Sequence, residues 1–233
     1  MAIKLVTLDL DNTLWQTDPV ILKAEQACHR WIVKNVPQAA EFYTFDALRE
    51  YKNTIAECYP QLRHKVSELR IEVLRRVFLQ AGISGDEGRH KAQQAFDVFY
   101  QARSEVTLFA GALDALTTLQ KNYSLIALTN GNADLTLIGI DHLFDAHFNA
   151  EQVGAAKPQP DLFQAALSHA GVTSEQCIHV GDHQQQDIIA AQRLGIKTVW
   201  VNLTDAAWVE DECTPEQEIN HLSQLPAAIQ ALQ

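Results

Sequence analysis

The chain has 233 residues, 47% apolar and 20% charged, which is enough for one large domain or a core with an insertion, and its hydrophobic core needs no structural metal or disulfide. A formal net charge of −11 without any Lys/Arg run excludes nucleic acid and anionic membranes as natural partners. The four cysteines (Cys28, Cys58, Cys177, Cys213) form no C-x-x-C pair and read as reduced thiols, and no apolar stretch approaches the length of a membrane span.

The opening Met1-Ala2-Ile3-Lys4 lacks the layout of a signal peptide and runs into a strand-like segment, Ile3 to Leu10 (IKLVTLDL), so a cytoplasmic location is expected. From about Pro19 to Ser104 the pattern is helical throughout, as in Ser67 to Ala81 (SELRIEVLRRVFLQA). Further short apolar runs follow at Leu125 to Asn130 (LIALTN), Cys177 to Asp182 (CIHVGD) and Lys197 to Asn202 (KTVWVN). Their length and β-branched content suit strands buried on both faces, the signature of a parallel sheet. Between them lie helical patterns at Gly111 to Asn122, Pro158 to Ala170 and Gln186 to Leu194, with Gly171 and Gly195 at expected helix stops. The acidic stretch Val209 to Glu218 reads as a surface loop before a short final helix.

Strand–helix alternation predicts an α/β fold, a Rossmann-like doubly wound parallel sheet, here with an inserted all-helical cap. Residues 1–15 and 106–233 are expected to form the core, and 16–105 the cap.

In an open parallel sheet, ligands bind beyond the carboxyl ends of the strands. Each strand-like run here ends in polar residues: Asp9 to Leu14 (DLDNTL), Thr129-Asn130-Gly131, and Gly181-Asp182. Side chains two apart on a strand face the same way, so Asp9 and Asp11 can approach one point, and Asp182 joins them from another strand. Converging carboxylates raise one another's pKa values, and a hard cation such as Mg²⁺ relieves the repulsion. Taken singly, an Asp-x-Asp is a turn or cap, Lys157 is a solvated lysine, and Asp187 is an acid in a helix's first turn.

Taken together and in order, Asp9-Leu-Asp-Asn-Thr-Leu14, Thr129-Asn130-Gly131, Lys157-Pro158 and Gly181-Asp182-His-Gln-Gln-Gln-Asp187 resemble the four motifs of the haloacid dehalogenase superfamily of phosphohydrolases. The helical insertion resembles that superfamily's type-1 cap, and the likeness spans about residues 3 to 202. The resemblance implies Asp9 as nucleophile and Asp11 as general acid and then base. It implies Thr129, the Asn130 backbone and Lys157 as phosphate ligands. It further implies Mg²⁺ on Asp9, the Asp11 carbonyl and Asp182, with Asp187 behind the metal. The superfamily's dehalogenases lack an acid two residues after the nucleophile, so Asp11 points to phosphate esters.

The expected substrate is a small phosphorylated metabolite. The wider pattern resembles bacterial phosphatases of flavin mononucleotide and its pyrimidine precursors, for which cap aromatics such as Trp31, Phe42, Tyr43 and Tyr51 offer stacking faces, although aromatics in a helical unit ordinarily pack. A phosphomutase, or a phosphonate-cleaving enzyme using Lys23, Lys34, Lys52 or Lys65, are alternatives with the same motifs; a receiver-like binding module is the non-enzymatic one. His179 and His183 lie on a strand and a loop and do not share a face as a zinc pair would, and nothing in the sequence signals an oligomeric state.

Overall fold

A computed structural model describes residues 2–233. The chain divides into two compact units, one formed by Met1–Gln16 with Thr107–Gln233 and the other by Thr17–Val106.

The first unit is built on six parallel strands in the order β3-β2-β1-β4-β5-β6. β1 (Leu5–Leu8), β2 (Ser124–Thr129), β4 (Cys177–Gly181) and β5 (Lys197–Val201) are the strands the sequence predicts, and they are almost wholly buried, as strands covered on both faces must be. The edge strands β3 (Ala146–Asn149) and β6 (Gln217–Ile219) escape the sequence reading because they are short and only partly buried. β6 corrects the expected loop over Val209 to Glu218: Gln217 and Glu218, the end of that stretch, pair with β5 at Val199 and Trp200.

The order reverses at β1, which lies between β2 and β4. The crevice beyond the carboxyl ends of β1 and β4 is therefore the topological switch point, where such sheets bind ligands. The ends of the long excursion are zipped together: Trp15 bridges Leu108, and Phe109 N–H donates to the Leu14 carbonyl at 2.8 Å.

The second unit is helical: α1 (Thr17–Asn35), α2 (Phe45–Cys58), α3 (Val66–Gln80) and α4 (Gly85–Arg103). α1 buries Val20, Ala24, Cys28 and Ile32, a stripe spaced by four, and the last three share one core with Leu74, Val77, Phe78, Phe96 and Phe99. One of the unit's half-buried charge pairs joins Arg70 to Glu25 at 2.6 Å while the Arg70 guanidinium lies 3.6 Å from the Phe99 ring centre. Among the described residues no helix is long and apolar enough to cross a membrane.

Flanking the sheet are α5 (Ala112–Leu119), α6 (Leu135–Ile138), α7 (Ala150–Val153), α8 (Asp161–Ala170), α9 (Ala190–Gln192) and α10 (Leu225–Ala231). α8 ends at Gly171, whose φ of 63° is the left-handed stop its sequence position predicts. The segment predicted as a helix from Gln186 is not α-helical at its start. Gln184–Ile189 is a π turn, because the His183 carbonyl accepts from the N–H groups of both Asp187 and Ile188.

Candidate active site

The sheet ladder continues one residue past β1, where Asp9 N–H donates to the Val180 carbonyl at 2.9 Å, so the Asp9 side chain leaves from a fixed backbone. The chain then turns sharply. Asn12 adopts a left-handed φ of 64°, and its N–H donates to the Trp15 carbonyl at 2.8 Å. Inside this turn the Trp15 indole N–H donates to Asp11 Oδ1 at 3.0 Å. Thr13 Oγ1 lies 3.1 Å from Asp9 Oδ2 and 2.9 Å from Asp182 Oδ1, and one hydroxyl proton serves both carboxylates.

Lys157 is buried and spends its three ammonium protons at Asp9 Oδ1 (2.7 Å), Asp187 Oδ1 (2.6 Å) and the Leu128 carbonyl (2.9 Å). Burial pulls its pKa down, but Asp187 and Asp9 outweigh that and hold it above the ordinary lysine value, so it stays charged. The backbone of Lys157 is held just as firmly by Asn130. Asn130 Oδ1 accepts from Lys157 N–H at 2.7 Å, and Nδ2 donates to the Lys157 carbonyl and to Gln186 Oε1, both at 2.9 Å. The Asn130 side chain is thus a clamp on the lysine loop. Thr129, at the end of β2, accepts from Gly131 N–H at 2.9 Å.

β4 supplies Asp182 and, through the π turn, Asp187. Both Asp187 oxygens are occupied: Oδ1 by Lys157 and by His179 Nε2 at 3.2 Å, Oδ2 by the His183 N–H at 2.9 Å. His179 is fully buried, and its Nδ1 meets Thr7 Oγ1 at 2.9 Å across the β1–β4 register. Burial lowers the His179 pKa, so the ring is neutral, and with Nε2–H donating to Asp187, Nδ1 accepts from Thr7. Asp187 approaches the strand so closely that a Cβ on Gly181 would fall 2.4 Å from its Cγ. Asp182 is fixed from behind by the Trp200 indole N–H, which donates to its carbonyl at 2.7 Å.

The electrostatics follow from this crowding. Burial, with Asp187 and Asp182 nearby, pushes Asp9 well above the usual carboxylate range despite Lys157. Burial and Asp187 push Asp182 up to about 6. Asp187 goes the other way: burial opposes its ionisation, but Lys157 and His179 overcome it and hold it low. One lysine therefore faces three carboxylates, and the fully ionised set is two positive charges short of balance.

Carboxylate oxygens of Asp9, Asp182 and Asp187 lie within 4.8 Å of one another, the grouping a divalent cation needs. Asp187 already has three donors on its two oxygens, whereas Asp9 and Asp182 share the single Thr13 proton beside Lys157 on Asp9, so the acceptor capacity left to face an ion is greatest on Asp9 and Asp182. The residues present fit a Mg²⁺ site in both charge and donor type.

Of the residues singled out in the sequence, the structure thus draws Asp9, Lys157, Asp182 and Asp187 into one hydrogen-bonded group, with Asn130 clamping it. Asp11 sits in the adjoining turn and Thr129 at the end of the neighbouring strand β2. Sequence reasoning assigned no role to Thr13, Trp15, His179, Gln186 or Trp200. One signal was available for His179: a polar residue opposite Thr7, each within an otherwise apolar buried strand. In the helical unit, Lys23 and Lys65 are paired with Glu105 and Glu68.

Comparison with known proteins sets this geometry among enzymes. Residues 3–195 match a family model described as haloacid dehalogenase-like hydrolase. The chain is 29% identical over 231 residues to the 5-amino-6-(5-phospho-D-ribitylamino)uracil phosphatase YigB of Escherichia coli, covering 97% of this chain and 96% of that one. It is 32% identical over 133 residues to the phosphoserine phosphatase of Thermus thermophilus, about half of each chain (54% and 53%). A solved structure described as a 2-haloacid dehalogenase from Pseudomonas syringae pv. Tomato DC3000 superposes with a TM-score of 0.95 at 37% identity, covering 99% of this chain and 100% of the other.

Proposed function

The chain belongs to the haloacid dehalogenase-like hydrolases, and from that premise we propose that it is a Mg²⁺-dependent phosphatase of a small phosphorylated metabolite in the cytoplasm. The observation that carries the proposal is Asp9, bonded to Lys157 at 2.7 Å, with a second carboxylate two residues on in Asp11.

Asp9 is the nucleophile: its carboxylate attacks phosphorus and becomes an aspartyl-phosphate, splitting hydrolysis into two easier steps. Lys157 keeps the attacking carboxylate oriented and offsets charge on the phosphoryl oxygens, with Thr129 and the Asn130 backbone binding those oxygens. Asp11 gives a proton to the departing alcohol and later takes one from water. Mg²⁺, when held by Asp9, the Asp11 carbonyl and Asp182, supplies the positive charge that lets an anionic nucleophile meet an anionic substrate. Asp187 acts at one remove by holding Lys157. The helical unit is proposed as the cap that carries specificity. The full-length likeness to the Escherichia coli enzyme favours a phosphorylated ribitylaminouracil as substrate, and the motif resemblance adds flavin mononucleotide as a candidate.

A second reading, dehalogenation, is favoured by the name of the Pseudomonas syringae structure. A halide departs without a proton, however, so it leaves Asp11 without a task and the carboxylate cluster without a need for its cation.

One experiment separates the two. Phosphate release is measured from a panel including flavin mononucleotide, its phosphorylated pyrimidine precursor and a sugar phosphate, with Mg²⁺ or EDTA, beside halide release from 2-chloropropionate. Phosphate release that requires Mg²⁺ and disappears in Asp9→Asn supports the phosphatase. Halide release that survives EDTA sinks it. No preference for the pyrimidine or flavin esters over the sugar phosphate sinks the substrate class alone.

A further inference from the structure

Between β5 and β6 the chain runs through residues 203–216 without helix or strand. Connections this long and irregular are uncommon in a compact fold and are usually functional. This one lies as a strap along the turn that follows Asp182. At its root the Asn202 side chain closes a two-point clasp on Ala206, accepting from its N–H at 2.8 Å and donating to its carbonyl at 2.9 Å. Gln184 makes the matching clasp from the π turn. Its Nε2 donates to the Ala207 carbonyl at 2.9 Å, and its Oε1 accepts from Val209 N–H at 3.1 Å. A primary amide that both donates to and accepts from one stretch of backbone imitates a pair of ladder bonds, and so fixes register as well as distance. Gln185 adds a bond to Glu210 at 2.9 Å. Beyond the π turn, Gln192 donates to the Thr214 carbonyl at 2.7 Å, and Arg193 grips Glu212 with two nitrogens at 2.8 and 2.5 Å. The strap is thus fastened at both ends of residues 184–193.

A second line of contact runs through aromatic rings. Trp208, in the middle of the strap, meets Trp200 of β5 edge to face with ring centres 5.2 Å apart. Trp200 is buried, and its indole N–H is the donor to the Asp182 carbonyl. The strap therefore bears on the Asp182 backbone twice: through Trp208 and Trp200 at its carbonyl, and through Gln184 two residues later.

We propose that Gln184 and Trp208 are positioning residues for cation binding: by fastening the strap they hold Asp182 in the orientation that receives Mg²⁺, an inference that rests on the Mg²⁺ reading above. Mg²⁺ demands near-ideal octahedral geometry, so a carboxylate whose backbone can turn away binds it less well. Groups that orient a ligand from behind act on metal affinity without touching the metal.

The test titrates Mg²⁺ into the unaltered protein and into Gln184→Ala, Trp208→Ala and Trp208→Phe. Two quantities other than turnover are read: the heat of binding, and the indole N–H resonance of Trp200, which sits on the Asp182 peptide. In the unaltered protein both should titrate with one midpoint. Gln184→Ala and Trp208→Ala should each raise it about 10-fold or more. Trp208→Phe keeps an aromatic edge against Trp200 and should stay within about 3-fold. Gly139→Ala puts a side chain into open space at a φ of 85°, so it destabilises the same unit without touching the strap and should leave the midpoint where it was. Should either alanine variant fail to fold, Gln184→Glu, which keeps the acceptor and loses the donor, takes its place with the same expected rise.

Unchanged midpoints in the folded strap variants, or an equal rise in Gly139→Ala, overturn the role of the strap and leave the Mg²⁺ reading standing. So does a Trp200 resonance indifferent to Mg²⁺ that calorimetry shows to bind. An unaltered, folded protein that gives neither heat nor shift at millimolar Mg²⁺ overturns both.

Discussion

Adding a single methyl group at Gly181 tests the link between the buried ion pairs and the fold. The built Cβ would lie 2.4 Å from Asp187 Cγ, 2.5 Å from its Cβ and 2.6 Å from Oδ2. Carbon atoms pack at about 3.5–4.0 Å, so Asp187 must retreat by roughly 1 Å. Its contacts to Lys157 at 2.6 Å and His183 N–H at 2.9 Å then stretch beyond hydrogen-bond range. Overpacking typically costs about 1–3 kcal/mol, and separating a buried ion pair about 3–5 kcal/mol. Lys157 retains Asp9 and the Leu128 carbonyl, which softens the second effect, so about 4 kcal/mol is expected for Gly181→Ala. Gly154→Ala is the control. Its φ of 87° strains any side chain, but nothing lies within 4 Å of the added atom. Its loss should be only the left-handed backbone strain, about 1–2 kcal/mol. Thermal unfolding followed by tryptophan emission reads mainly the sheet unit, where three of the four tryptophans (Trp15, Trp200 and Trp208) lie, and a Trp31→Phe background removes the signal of the helical unit. At roughly 2–4 °C per kcal/mol, Gly181→Ala should melt about 10 °C lower and the control only a few degrees lower. Equal drops for the two variants would refute the claim that Gly181 exists to admit Asp187.

Asp9→Asn should abolish phosphate release by at least about 10³-fold, yet raise the melting temperature of the metal-free protein, because it removes a charge that burial and its acidic neighbours disfavour. Stability of the metal-free protein should also fall as pH rises. Asp9 and Asp182 have raised folded-state pKa values, so the folded protein binds more protons than the unfolded one. Their stabilising contribution is complete below the ordinary carboxylate range near pH 4 and is lost on rising through about 6 and beyond; melting curves in EDTA should show this decline, and Mg²⁺ should flatten it. A curve that rises from pH 5 to 8 in EDTA would contradict the sign. Asn130→Ala strands both backbone groups of Lys157 and should cost about 2–4 kcal/mol, measured by urea unfolding, with Asn130→Asp intermediate because it keeps the acceptor and loses the donor.

How far the sequence led depended on the range of the interactions involved. The four central strands were legible because burial on both faces leaves a continuous apolar run, whereas Ala146–Asn149 and Gln217–Ile219 pair on one side only and read as loop. The acids at the strand ends were legible from position alone. Their partners were not: the Trp15–Asp11 bond depends on the left-handed turn at Asn12, and the His179–Asp187 bond on strand register plus a π turn. Asn130 shows the same limit, since its residue type suggests a cap and only the fold reveals the clamp.

The pairing of Leu14 and Trp15 with Leu108 and Phe109 has a consequence for how such a chain can diversify. Ninety residues, Thr17–Val106, leave and rejoin the sheet unit at a hydrogen-bonded gate of four. To the sheet, that gate makes the insertion's length and content nearly immaterial, since loop-closure entropy grows only slowly with the number of residues enclosed. Recombination that swaps everything between Gln16 and Thr107 for another segment with the same two ends would keep the geometry of the candidate site and replace the unit proposed above to carry specificity. The gate is a splice point, and new specificities can be acquired there in a single genetic event.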